Sequence, residues 1–109
     1  MHDRTAAVGF TGSFSGGKAL FDWAAQRKEP IPVFSEMGST NPVFLLPGKL
    51  AADATSLAKQ LAGSMTLGMG QFCTKPGLII GIAGPDLDTF TTTLKEEIVK
   101  VMPAEMLHE

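Results

Sequence analysis

The 109 residues suit a single small domain, and with 44% of them hydrophobic there is enough apolar material for a core. A formal net charge of -2 and nine scattered basic residues leave no cationic stripe to track a phosphate backbone, so nucleic acid is not an expected partner. The opening Met1-His2-Asp3-Arg4 lacks the pattern of a secretory signal, and the apolar runs Val43 to Leu46 and Leu78 to Ile82 are far too short to span a bilayer. The expectation is a soluble, cytoplasmic protein with no membrane partner and no metal site.

In chain order, Thr5 to Phe10 is a run of small and apolar residues ending at Gly12, as a buried strand entering a turn would. Ser13 and Ser15 offer hydroxyls for a helix start, and Lys18 to Gln26 has helical composition with Leu20, Phe21, Ala24 and Ala25 on a shared side. Lys28-Glu29-Pro30 stops it. Ile31 to Phe34 reads as a strand that delivers Glu36 to its far end, and Gly38 to Pro42 is turn chemistry. Val43 to Leu46 is a further strand, its continuous apolar character suited to burial on both faces.

Ala51 to about Leu67 gives the clearest helix, with Ala54, Leu57, Ala58, Leu61 and Met65 at the spacing of one buried face. Leu78 to Ile82 is the next strand. Asp86 or Asp88 is the expected cap of a last helix running to Met102, with Leu87, Phe90, Leu94, Ile98 and Val101 as its stripe. Strand, helix, two strands, helix, strand, helix is the order of an α/β assembly with parallel crossovers. Both ends look abrupt, which suggests a piece of a larger fold.

Three features bear on chemistry. Gly12-Ser-Phe-Ser-Gly-Gly17-Lys18 has the G-x-x-x-x-G-K spacing of a nucleotide-triphosphate P-loop, but Ala19 stands where a Ser or Thr would ligate magnesium. The same glycines also fit a tight, closely packed strand-to-helix turn, or an anion site in which Gly12 and Ser13 open a helix toward a dinucleotide pyrophosphate. Glu36, at a strand end, is either an exposed acid or a general base. Cys73 is the single cysteine and so cannot close an internal disulfide. It is either a small core residue or a nucleophile on a connection rich in backbone N–H groups. His2 and His108 lie at the chain ends, so no cysteine-histidine pair is expected.

Together these segments resemble the aldehyde dehydrogenase family. Phe10-Thr-Gly-Ser13 is similar to its cofactor-turn motif, Glu36-Met-Gly-Ser-Thr-Asn-Pro42 to its glutamate motif E-L-G-G-x-x-P, and Gly70-Gln-Phe-Cys73 to its G-Q-x-C nucleophile motif. The three occur in the family's order, and the interval from Glu36 to Cys73 is of the family's length. Phe10 to Phe21, Pro30 to Phe34 and Cys73 to Gly77 look most like the branch of α-ketoglutaric semialdehyde (2,5-dioxovalerate) dehydrogenases and related NADP-linked fatty aldehyde dehydrogenases. Ser39 replaces the second glycine of the glutamate motif, a departure that bears on substrate class more than on chemistry.

The resemblance implies an α/β fold in which residues 1–37 end a Rossmann-like cofactor domain and residues 38–109 begin a catalytic domain. It implies Cys73 as the nucleophile, Glu36 as the base that activates water, and the Cys73 backbone N–H as an oxyanion donor. NAD or NADP would be the cofactor, with Gly12 and Ser13 at its pyrophosphate, Gly17 at a close-packing position, and the Met37 carbonyl and Gly38 beside the nicotinamide. An aldehyde such as 2,5-dioxopentanoate would be the substrate and a homo-oligomer the working form. The family's oxyanion asparagine and ribose-selecting residues would lie upstream, and its second ribose-binding glutamate and oligomerisation strands downstream. No turnover is therefore expected from these residues alone.

Overall fold

The computed structural model describes residues 2–106, so the expectation placed on His108 lies outside the described residues. The elements are β1 (Val8–Thr11), α1 (Phe14–Ala25), β2 (Val33–Glu36), β3 (Pro42–Leu45), α2 (Pro47–Thr66), a 3-10 turn (Leu67–Gly70), β4 (Leu78–Gly81) and α3 (Pro85–Val99). They form two compact units, residues 1–38 and 39–109.

In the first unit β1 and β2 pair in parallel, Val8 opposite Val33 and Thr11 opposite Glu36, with α1 in the connection between them. A parallel pair needs such a crossover, because the second strand must restart at the same end as the first. Both strands alternate between half-buried and exposed positions, and α1 packs on the pair through buried Gly17 and Ala24. The face of α1 predicted from sequence is rotated in the structure. Phe21 and Ala25 are exposed, and it is the set Gly17, Leu20 and Ala24, three and four residues apart, that turns inward. Arg27, just past α1, donates to the carbonyls of His2 (3.1 Å) and Asp3 (2.9 Å) and ties down the first residues.

In the second unit β3 and β4 also pair in parallel, Pro42 opposite Leu78 and Leu45 opposite Gly81, with α2 in the crossover. Both α2 and α3 pack on one face of this pair. Leu45, Leu50, Ala58, Ala62, Phe90 and Leu94 form the buried cluster, and Val43, Ile79, Leu57, Leu61, Leu87 and Ile98 pack around it. Alanines at 58 and 62, one turn apart, let α3 approach α2 closely, and Phe90 fills the space with none of its surface exposed.

Several boundaries differ from the sequence expectation. The strand expected from Ile31 begins at Val33, since Pro32 cannot donate to a ladder. α2 starts at Pro47 rather than Ala51, and its backbone leaves helical geometry at Asp53 (φ -161°, ψ 44°), so the expected start falls within this kinked first stretch. Gly84 rather than Asp86 or Asp88 caps α3, because Pro85 occupies the first helical position and puts both aspartates into the first turn, where their charge suits the helix dipole. The same helix ends at Val99, short of Met102. At that end Lys100 donates to Glu97 at 2.8 Å and holds its carboxyl below the usual carboxylate range.

The expectation of strands buried on both faces is overturned. Phe34 is 69% and Phe44 65% exposed, because each pair of strands carries helices on one side only. Among the described residues no helix is long and apolar enough to cross a membrane, and no group of three or more His, Cys, Asp or Glu could hold a metal ion.

Phe90 supplies the test of this core. Phe90→Ala leaves a cavity between α2, α3 and the β3–β4 pair and should lower unfolding stability by about 3–5 kcal/mol, seen as an earlier urea midpoint by far-UV circular dichroism.

Candidate functional site

The first cluster lies at the C-terminal edge of β1 and β2. The Gly12 N–H donates to the Glu36 carbonyl at 3.1 Å and carries the ladder one step beyond the paired strands, so the glycine turn and the Glu36–Met37 backbone lie side by side. Glu36 itself is exposed. Ser13 caps α1 by accepting from the Gly16 N–H at 3.2 Å, and the Ser13 and Ser15 hydroxyls are 3.1 Å apart. Helix geometry leaves the N–H groups of the first turn facing outward from this end, where they favour an anion.

Gly17 explains how the turn stays close to the strand. A Cβ there would lie 2.7 Å from the Met37 Sδ and 3.3 Å from the Ser35 Cβ, so a side chain at 17 would have to push Met37 aside and press on Ser35 of β2. The Ser35 hydroxyl is buried under this contact with no hydrogen-bond partner among the described residues. Lys18, the lysine of the P-loop spacing, donates to both carboxylate oxygens of Asp22 at 2.6 Å, one helical turn further on. Its ammonium is thus paired along the helix rather than committed to the glycine turn.

The second cluster is built at the opposite, N-terminal edge of β3 and β4. After α2 the chain makes a tight left-handed passage with positive φ at Gly68 (55°), Met69 (57°) and Gly70 (71°), a course that two glycines make accessible. It then reaches Cys73, which is exposed with a free thiol. Cys73 is therefore not the core residue that was one of its two sequence readings.

Residues 39–41, which lead into β3, are fastened to the cysteine loop. The Ser39 hydroxyl donates to the Cys73 carbonyl at 2.8 Å, and the Asn41 Nδ2 donates to the same oxygen at 2.6 Å and to the Lys75 carbonyl at 3.1 Å. The Gly77 N–H donates to the Thr40 carbonyl at 2.7 Å, extending the β3–β4 ladder backward by one residue. A Cβ at Gly77 would come within 2.5 Å of that carbonyl oxygen. Asn41 adopts positive φ (46°), a conformation that asparagine tolerates better than most side chains.

Sequence reading placed Ser39 and Asn41 in a turn and gave neither a partner. The available signal was Asn41-Pro42, in which an amide side chain capable of bridging to a neighbouring loop stands directly before a strand. Glu36 and the Gly12–Ser13 turn belong to the first unit, Cys73 to the second.

The model of the aldehyde dehydrogenase family matches residues 1–106, and the chain belongs to that family. It is 50% identical over 106 residues to alpha-ketoglutaric semialdehyde dehydrogenase 2 of Azospirillum brasilense, covering 97% of this chain and 20% of that protein. It is 47% identical over 108 residues to alpha-ketoglutaric semialdehyde dehydrogenase of Acinetobacter baylyi, covering 99% of this chain and again 20% of that protein. The chain thus spans about one-fifth of the length of these curated relatives.

Two glycines test the loop contact. Gly77→Ala forces the two loops apart and should cost about 1–3 kcal/mol. Gly63→Ala, in α2 where a Cβ meets nothing within 4 Å, should instead raise stability by about 0.5–1 kcal/mol. Chemical denaturation of both variants reads the contrast.

Proposed function

We propose that this chain carries the nucleophile and the general base of an NAD(P)-dependent aldehyde dehydrogenase, with Cys73 and Glu36 in those roles. The observation that carries the reading is the fastening of Ser39 and Asn41, the last part of the glutamate-motif sequence, to the carbonyl of Cys73 in the cysteine-motif loop. Family membership and the relatives' names support it. Because the chain spans one-fifth of those relatives, the activity is that of a protein in which this segment works together with the family's other elements.

In this reading the Cys73 thiolate attacks the aldehyde carbon, forming a C–S bond and a hemithioacetal oxyanion that the Cys73 backbone N–H helps to hold. NAD or NADP would supply the hydride acceptor, and Gly12 and Ser13 would hold its pyrophosphate while the Met37 carbonyl and Gly38 would flank its nicotinamide. The donor chemistry fits: a capped helix start at Ser13 presents N–H groups to an anion, and the space around Gly38 is open to 4 Å from a Cβ position. Loss of hydride leaves a thioester on Cys73. Glu36 takes a proton from water, the resulting hydroxide attacks the thioester carbon, and the C–S bond breaks to release the carboxylic acid and restore the thiolate. One aldehyde, one oxidised cofactor and one water thus give one acid, one reduced cofactor and a proton.

The domain boundary follows the same reading, with residues 1–37 closing the cofactor domain and residues 38–109 opening the catalytic one. The substrate class we infer is a semialdehyde that carries a second carbonyl and a carboxylate, such as 2,5-dioxopentanoate, on the strength of the two relatives' names. A homo-oligomer is the proposed working form.

In the active protein, Cys73→Ala should abolish aldehyde-dependent cofactor reduction measured at 340 nm. Glu36→Gln should slow steady-state turnover roughly 10²-fold or more while keeping a pre-steady-state burst of reduced cofactor, since only deacylation needs the base. Retained activity in Cys73→Ala would overturn the assignment. The 109 residues alone should show no turnover.

A further inference from the structure

We infer that Asn41 and Ser39 are positioning residues for Cys73. Together they pin the Cys73 carbonyl and so fix the peptide plane from which the thiol is presented. The inference rests on the reading of Cys73 as the nucleophile and deepens it.

One carbonyl oxygen takes two side-chain donors, Asn41 Nδ2 at 2.6 Å and Ser39 Oγ at 2.8 Å, and so fills both of its lone pairs. The second Asn41 contact, to the Lys75 carbonyl at 3.1 Å, anchors the amide on the far side of Thr74. A single planar amide therefore bridges two carbonyls two residues apart, and the peptide between Cys73 and Thr74 can rotate only by breaking a hydrogen bond. The thiol needs this support, because Cys73 lies in a turn, is exposed, and follows the left-handed passage at Gly68, Met69 and Gly70. No strand or helix holds residues 71–77, so the order of the segment comes from contacts such as these.

The two donors are not interchangeable. Asn41 is half-buried, sits at positive φ and spans two carbonyls, whereas Ser39 is exposed and makes one contact. Ser39 also occupies the position where the family's glutamate motif has its second glycine, so the hydroxyl donor is an addition to the motif. Asn41 is the primary anchor, and Ser39 reinforces it.

The single cysteine makes the test selective, because ¹³C,¹⁵N-cysteine labels one residue of the full chain. The parent should show a Cys73 carbonyl resonance displaced downfield by its two donors and a backbone order parameter of about 0.85. Asn41→Gly, which keeps the positive φ accessible but removes the amide, should move the resonance upfield and lower the order parameter to below about 0.6. Asn41→Asp is the second variant: it keeps the shape, loses the donors and should act the same way. Ser39→Ala should give a smaller upfield shift, and Ser39→Thr, which restores a hydroxyl, should return to the parent value.

In the active protein, Asn41→Gly and Asn41→Asp should each lower kcat by roughly 10- to 100-fold with KM within about twofold, as expected when a reacting atom is misplaced without loss of substrate binding. An unchanged carbonyl resonance in both Asn41 variants overturns the inference. So does a shifted resonance with parental kcat. An active Cys73→Ala protein would instead refute the functional reading, while the cysteine spectra would still report on whether the carbonyl is pinned.

Discussion

Two strands that run in parallel must begin at the same edge, and in residues 39–109 this constraint organises everything around the exposed thiol. Pro42 of β3 stands opposite Leu78 of β4, so the residues immediately before each strand are neighbours however far apart they lie in sequence. Thr40 and Gly77 continue the ladder into the loops, and the side chains of Ser39 and Asn41 reach further to Cys73 and Lys75. Burial of Phe90, Leu94, Ala58 and Ala62 holds β3 and β4 in register from beneath. The core thus governs the loops through strand pairing, and the loops govern the cysteine.

The first unit uses the same pairing at its other edge. Gly12 follows Thr11 and reaches the Glu36 carbonyl, so a helix start and a carboxylate-bearing residue end up next to one another. Gly17 lets α1 lie close enough to β2 for this to hold. Chemistry-bearing residues in one unit therefore cluster where strands end, and in the other where strands begin.

Much of this was legible from the sequence. Among the described residues, the element order, the four strands and the three α-helices follow from apolar runs and from the spacing of Ala58, Leu61 and Met65 or of Phe90 and Leu94. The resemblance was legible as well, because three short motifs in fixed order are specific where each alone is not. What could not be read was set by tertiary context. The burial of Gly17 rather than Phe21 depends on how close α1 lies to β2, a distance that composition does not encode. Likewise the roles of Ser39 and Asn41 depend on a loop more than thirty residues away. The strands read as buried on both faces because their runs are apolar, yet Phe34 and Phe44 face outward where no helix covers them.

Cys73 is the single cysteine of the sequence, and its thiol is accessible to solvent. Oxidation finds no second thiol among these 109 residues, so a disulfide from Cys73 joins two copies of the segment or takes up a thiol from outside it. Storage of the 109 residues under air without reductant therefore yields crosslinked pairs or capped species, and mass spectrometry distinguishes the two by the doubled mass or the added adduct.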